Sequence, residues 1–167
     1  MNITKSFYIA RLRSPIMLAM ALLVCFTAAR LGASATTPNL DWYAGLAKPA
    51  FTPPNWMFPV AWTILYALMA ISLWRIVRAS SGWVIGNKAL FPFSVQLVLN
   101  VAWSFAFFDA RNPAAGFIVI CFLIPAIVWT MRTFHLRDKV AAWLLAPYLL
   151  WVTYAAILNA AIWRLNA

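Results

Sequence analysis

Aromatic rings and carboxamides recur at helical spacing in three stretches of this 167-residue chain. Phe58, Trp62, Tyr66 and Met69 form the first set, and Gln96, Asn100, Trp103 and Phe107 the second. Tyr148, Trp151, Ala155 and Asn159 form the third. Residues three or four apart lie on one face of a helix, so each set is a single stripe. Stripes of this kind offer flat apolar area for stacking and a few neutral hydrogen-bonding groups. Two uses fit them. The amides can bind across helices and hold a bundle together, or the stripes can line a cavity for a flat, mostly apolar ligand.

Other chemistry is thinly supplied. Glutamate is absent, and the only acids are Asp41, Asp109 and Asp138. No two of them share a helix face, which leaves neither a general acid/base pair nor a carboxylate metal site. The single histidine, His135, stands near Arg137, and nothing positions a nucleophile beside it. No glycine-rich phosphate loop occurs. Cys25 and Cys121 lie inside apolar runs at a spacing that matches no metal motif. They read as small core residues. The sequence thus points to no metal and no obligatory cofactor.

The elements that must carry these stripes follow from composition. Hydrophobic residues make up 65% of the chain and charged residues 10%, far below the ~25% charge of soluble domains. Five stretches are long and apolar enough to span a bilayer: about 15–33, 56–77, 90–108, 113–131 and 139–163. The fold class expected is an all-α membrane protein, one domain built as a five-helix transmembrane bundle over residues 1–167. Asn112-Pro113 and Asp138 mark helix starts. Pro125 and Pro147 fall inside spans and are expected to kink them. Residues 34–55 form the one long connection, rich in Trp42, Tyr43, Lys48, Pro49, Pro53 and Pro54, and are expected to act as a lid.

Thirteen lysines and arginines face three acids, a net charge of +10. The bases are scattered between apolar blocks and form no stripe, so nucleic acid is not an expected partner. Sorted by side of the membrane, Lys5, Arg11, Arg13, Arg75, Arg78, Lys88, Arg132, Arg137 and Lys139 share one face. Arg30, Lys48, Arg111 and Arg164 share the other. The excess predicts a cytoplasmic N-terminus in a bacterial inner membrane, with the lid outside. A second reading treats the first span as a cleaved signal ending at Ala33-Ser34-Ala35. Of the ten tryptophans, Trp56, Trp74, Trp83, Trp143 and Trp163 fit interfacial belts, whereas Trp62, Trp103 and Trp151 lie deeper. Ala102, Ala106 and Ala110 repeat every four residues, which suits close helix packing within the bundle or a homodimer seam.

These residues resemble the TspO/MBR family of tryptophan-rich sensory and translocator proteins. The resemblance runs from Trp42 onward. Trp42-Tyr43-x-x-Leu46-x-Lys48-Pro49, Pro53-Pro54, Phe58 and Trp62-x-x-x-Tyr66 carry its first loop and second helix. Gln96-x-x-x-Asn100-x-x-Trp103 with Phe107-Phe108 carries the third, and Pro147-Tyr148-x-x-Trp151 with Leu158-Asn159 the fifth. It implies a pocket under the first loop that takes porphyrin- or haem-like tetrapyrroles, formed by Trp62, Tyr66, Asn100, Trp103, Trp151, Ala155 and Asn159. It also implies a homodimer. Three functions are compatible with it. One is transport, sensing or regulation of porphyrin intermediates; another is light- or oxygen-dependent porphyrin breakdown at Trp62 and Trp151. The third is a lipid-filled interaction protein. Alanine stands at position 160, where animal members carry the tyrosine of a cholesterol-recognition stretch, which weakens the case for sterol.

Overall fold

The computed structural model describes residues 3–79 and 88–167, with side chains from residue 14 onward. Among the described residues every regular element is helical. Helix α1 spans Ile3–Thr36 and leads through a single 3₁₀ turn, Thr37–Asn39, into the short α2, Leu40–Gly45. Helix α3 is Met57–Ala79 and α4 is Leu90–Ser104. A π turn over Phe105–Asp109 continues α4. Helix α5 is Pro113–His135, α6 is Lys139–Trp143 and α7 is Ala146–Asn166. Among the described residues five stretches are long and apolar enough to cross a membrane: Ser14–Gly45, Met57–Ala79, Leu90–Asp109, Pro113–His135 and Lys139–Leu165. The protein is a bundle of five apolar helices, as its hydropathy predicts.

Helix starts follow the sequence signals. The Asn112 side chain accepts from the Ala115 amide at 3.0 Å, and Pro113 takes the first helical position, where its missing N–H costs nothing. Asp138 likewise accepts from Ala141 at 3.0 Å and caps α6. Its carboxylate also meets Arg75 Nε at 2.9 Å, joining the end of α3 to the α5–α6 turn. Nearby, the Ser72 hydroxyl donates to the Ala141 carbonyl at 2.7 Å.

Three boundaries differ from expectation. The lid predicted over 34–55 is helical as far as Gly45, so only residues 46–56 are irregular. The predicted end of the first span is passed without a break: Ala35 is buried, and its carbonyl accepts from Asn39 Nδ2 at 2.9 Å. Ala33-Ser34-Ala35 thus lies in helix, and Ala21, Cys25 and Ala28 pack α1 into the core as a full member of the bundle. Lastly, the fifth span is interrupted at Leu144–Leu145 instead of being kinked at Pro147. Proline cannot donate to a preceding carbonyl and disfavours helix before it, so the chain stops one helix and starts another with Pro147 in its first turn. Pro125, by contrast, stays inside an unbroken α5.

Hydrophobicity alone does not select an inside from an outside here, because lipid tails are as apolar as leucine. Fit and hydrogen bonding do. Met69, Leu73, Ile76, Ile120, Leu123 and Ile127 interlock in the centre, while Leu23, Val98, Phe122 and Leu150 face outward. Cys25 is buried, Cys121 is exposed, and both are free. Trp56, Trp143 and Trp163 are exposed near helix ends, where the belt reading put them. Trp74 instead donates to the Ser14 carbonyl at 3.0 Å. Trp83 lies outside the described residues.

Candidate functional site

The three stripes converge. Tyr66 on α3 donates its hydroxyl hydrogen to Asn100 Oδ1 on α4 at 2.5 Å. Asn100 Nδ2 in turn donates to the Tyr148 oxygen on α7 at 2.9 Å. Asn100 is 2% exposed and Tyr148 is fully buried, so one amide satisfies two phenols in the apolar interior and ties three spans together. One turn further along α4, Trp103 Nε1 donates to Asn159 Oδ1 at 3.2 Å. Asn159 Nδ2 donates to the Pro113 carbonyl at 2.6 Å, which ties α7 to the start of α5. The bridging role expected of these amides is realised by Asn100 and Asn159.

Aromatic rings fill the space beside them. The Trp62 ring centroid lies 5.7 Å from Tyr66, 6.3 Å from Trp103 and 6.4 Å from Tyr148. Trp103 stacks on Phe107 at 5.6 Å, and Phe58 meets Trp151 edge-on at 6.1 Å. Ala155 is half-buried against the same core. Separations of 4.5–7 Å with offset or edge geometry are favourable for such rings. The π turn shapes this end of the cluster. Its ring is closed by the Ala110 amide on the Phe105 carbonyl at 2.8 Å. It accommodates an extra residue, and both Phe107 and Phe108 are buried. Spacing rules for a regular helix placed only Phe107 on the stripe.

The lid caps this cluster with its own rings. Trp42 meets Phe107 edge-on at 5.7 Å, and Tyr43 contacts Phe58, Phe107 and Phe108 at 6.3, 6.2 and 5.7 Å. Lys48 Nζ sits 4.8 Å above the Tyr43 ring and donates to the carbonyls of Ala44 and Leu46. Pro49 and Pro54 each supply a carbonyl that closes a turn, to Thr52 at 3.0 Å and to Met57 at 2.9 Å. Pro53, Trp151 and Tyr154 line an open apolar groove of about 570 Å³ between α3 and α7.

Gln96 stands apart. It is 1% exposed, as its place on the stripe requires, yet among the described residues neither Nε2 nor Oε1 has a hydrogen-bond partner. Ala102 is half-buried on α4 and Ala106 half-buried in the π turn, whereas Ala110 lies beyond the turn and is exposed. Among the described residues no cluster of His, Cys, Asp and Glu is arranged to hold a metal.

Several contributors carry no local sequence signal. Gly116 on α5 lies so close that a Cβ there would stand 2.9 Å from both Asn159 Oδ1 and Phe107 Cβ. Asn166 and Tyr154 fasten the lid, through Ala47 and Phe51 respectively. Arg111, in the left-handed region at φ 50°, donates through Nε to Asn39 Oδ1 at 3.1 Å and anchors the segment before α2.

Fold and site together define an integral membrane bundle whose second, third and fifth spans meet in an aromatic and amide interior beneath a fastened lid. The model of the TspO/MBR family matches residues 19–164. Tryptophan-rich protein TspO of Chlorobaculum tepidum is 38% identical over 152 residues, 89% of this chain and 95% of that one. The protein of that name from Archaeoglobus fulgidus is 44% identical over 126 residues, 75% of this chain and 80% of that one. Translocator protein of Homo sapiens is 34% identical over 131 residues, covering 77% and 76%. The chain belongs to the TspO/MBR family.

Proposed function

We propose that this protein binds porphyrin- or haem-like tetrapyrroles within the membrane and serves their transport, sensing or regulation. The observation that carries this reading is the packing of Trp62 and Trp103 beside the Tyr66–Asn100–Tyr148 chain, with Trp151 edge-on to Phe58 at the groove between α3 and α7, under a lid that packs its own rings into the cluster. A planar macrocycle replaces ring–ring contacts with ring–macrocycle contacts of similar worth when the lid swings away. Lys48, carried on the lid, supplies a cation for propionate groups once the lid closes back over the ligand. The names of the sensory and translocator relatives support a role in signalling or movement.

The test is titration of protoporphyrin IX against tryptophan fluorescence in lipid nanodiscs. Quenching is expected in wild type and is expected to weaken about tenfold in Trp62→Phe and in Trp151→Phe, in line with lost ring stacking. Undiminished quenching in both variants would overturn the site. Illumination of the complex separates binding from breakdown: a new product that forms in wild type and not in Trp62→Phe would make the indole a redox participant.

The charge excess on one face supports a cytoplasmic N-terminus in a bacterial inner membrane, testable by tag accessibility at Ala167. Ala102 and Ala106 support a homodimer along α4 and the π turn that continues it. Ala106→Leu is expected to shift the molecular mass measured in nanodiscs from dimer to monomer.

A further inference from the structure

Arg30 is a charged side chain on a lipid-facing helix surface. It lies near the middle of the apolar stretch Ser14–Gly45 and is exposed on the outside of the bundle. With Leu23, Phe26, Thr27, Leu31 and Ser34 it lines a trough of about 430 Å³ along α1. Their spacing of three or four residues makes these six one helix face. The depth of Arg30 follows from its neighbours. Two residues on, Gly32 packs so closely on α4 that a Cβ there would stand 3.1 Å from Ser104 Oγ. The α4 stretch continues past Ser104 to Asp109. Arg30 is therefore about 10 Å inside the lid-side end of that stretch, at the ~1.5 Å rise per helical residue.

Other cations of the protein are engaged. Arg75 meets Asp138, Arg78 lies over the Trp74 ring, Lys48 donates to two carbonyls and Arg111 donates to Asn39. Among the described residues Arg30 has no hydrogen-bond or ion-pair partner. The Ser34 hydroxyl in the same trough is turned to its own helix, donating to the Leu31 carbonyl at 2.7 Å. An uncompensated guanidinium at this depth is costly. Snorkelling to the lid-side surface is hindered, because helix side chains leave the backbone toward the helix N-terminus, which for α1 is the far side. What remains is a counter-ion that reaches inward with an apolar tail of its own.

A phospholipid is built that way. Its phosphate offers paired oxygens to the fork of a guanidinium. Its acyl chain continues into hydrocarbon, and Phe26 and Leu23 stand on the deeper turns of the same trough. One net negative charge neutralises Arg30, whereas a zwitterionic headgroup brings a second cation with it. We propose that the outer face of α1 holds one anionic phospholipid of the lid-side leaflet, with its phosphate diester on Arg30 and Thr27 and a chain along Phe26 and Leu23. The site is independent of the aromatic interior, since α1 turns Ala21, Cys25 and Ala28 to the core and this face away from it.

The test is native mass spectrometry of the protein in a neutral detergent, which gives the dissociation constant of the first bound lipid. The probes are dioleoylphosphatidylglycerol, dioleoylphosphatidylcholine and, as a control without chains, inorganic phosphate. Wild type is expected to hold the glycerol lipid about tenfold tighter than the choline lipid and to hold no phosphate. Arg30→Gln is expected to weaken the glycerol lipid about tenfold and the choline lipid less than about twofold. Arg30→Lys is expected to fall between, because an ammonium meets phosphate as a point charge. Phe26→Ala shortens the wall along the chain and is expected to weaken both lipids alike. Arg132→Gln, an equal loss of charge at the end of α5, is expected to change neither.

Equal affinity of wild type for the two lipids overturns the proposal. Equal weakening by Arg30→Gln and Arg132→Gln makes the attraction a property of overall charge and also overturns it. Phosphate binding as tight as lipid binding assigns Arg30 to a free anion, and loss of dimer mass in Arg30→Gln assigns this face to a second copy; either overturns it. Should Arg30→Gln fail to fold, the wild-type preference and Arg30→Lys decide.

Discussion

The carboxamide of Asn166 holds the backbone of Ala47 from both sides. Its Oδ1 accepts from the Ala47 amide at 3.0 Å and its Nδ2 donates to the Ala47 carbonyl at 2.9 Å. The last residue of α7 thereby pairs with the lid as a neighbouring strand would. A second fastening lies along the same helix, where the Tyr154 hydroxyl donates to the Phe51 carbonyl at 2.8 Å. Lid release therefore breaks a few exposed bonds, each worth about 0.5–1.5 kcal/mol net, together with the ring contacts of Trp42 and Tyr43 in the cluster.

Asn166→Ala is expected to speed association of protoporphyrin IX several-fold, measured by stopped-flow tryptophan quenching, with a loss of stability of about 1 kcal/mol. Adding Tyr154→Phe is expected to speed it further. Unchanged association in the double variant would show that ligand does not enter past the lid.

Asn100→Leu strands two phenols at once, including the fully buried Tyr148. It is expected to cost about 2–4 kcal/mol, at least twice the roughly 1 kcal/mol expected for Tyr66→Phe, because each buried phenol left unpaired costs its desolvation. Thermal unfolding in one defined detergent gives the ordering. Equal losses would mean that the Asn100–Tyr148 bond contributes nothing.

Gly116→Val introduces atoms where even a Cβ would lie 2.9 Å from Asn159 Oδ1 and Phe107 Cβ. The first neighbour is an amide oxygen already held by Trp103, and the second is fixed to the backbone of the π turn. Overpacking of this kind is expected to cost about 1–3 kcal/mol and to change Trp103 emission as Asn159 is pushed from the indole. Gly116→Ala is expected to do the same more mildly. A silent Trp103 signal would uncouple Gly116 from the site.

The Asp138 carboxyl carries a testable pH dependence. Burial acts to raise its pKa, but the Ala141 amide, the Arg75 side chain and the Val140 amide outweigh it and hold the group below the usual carboxylate range. A depressed folded-state pKa means stabilisation that is present above the unfolded-state value of ~4 and is lost as pH falls through the folded-state value. Asp138→Asn is expected to flatten the acid limb of the Tm–pH profile below about pH 4. Its effect at neutral pH is expected to stay near 1 kcal/mol or less, since Arg75 is partly exposed. An unaltered acid limb would assign acid sensitivity elsewhere.

How far the sequence reaches is clearest at three places. The stripes of α3, α4 and α7 were legible because helical period and polarity are local properties: a glutamine or asparagine among apolar residues must turn inward whatever the neighbours are. Asn112 and Asp138 were legible as caps for the same reason. The extent of the lid was not. Residues 34–45 read as irregular from their polar and proline content, yet they stay helical, with Trp42 and Tyr43 supported by rings more than sixty positions further along the chain.

The sequence by itself determined five spanning helices, their inward faces and the family. These follow from the length of apolar runs, the 3.6-residue period and the order of short motifs. Only the tertiary structure decided which inward groups are matched. Asn100 and Asn159 find partners 34 to 56 residues away, and Gln96 finds none among the described residues; at the exposed end of α7, Asn166 finds one 119 residues away. Hydrogen-bond pairing depends on how helices cross and rotate, and in an apolar solvent that geometry is set by close packing, which no local pattern records.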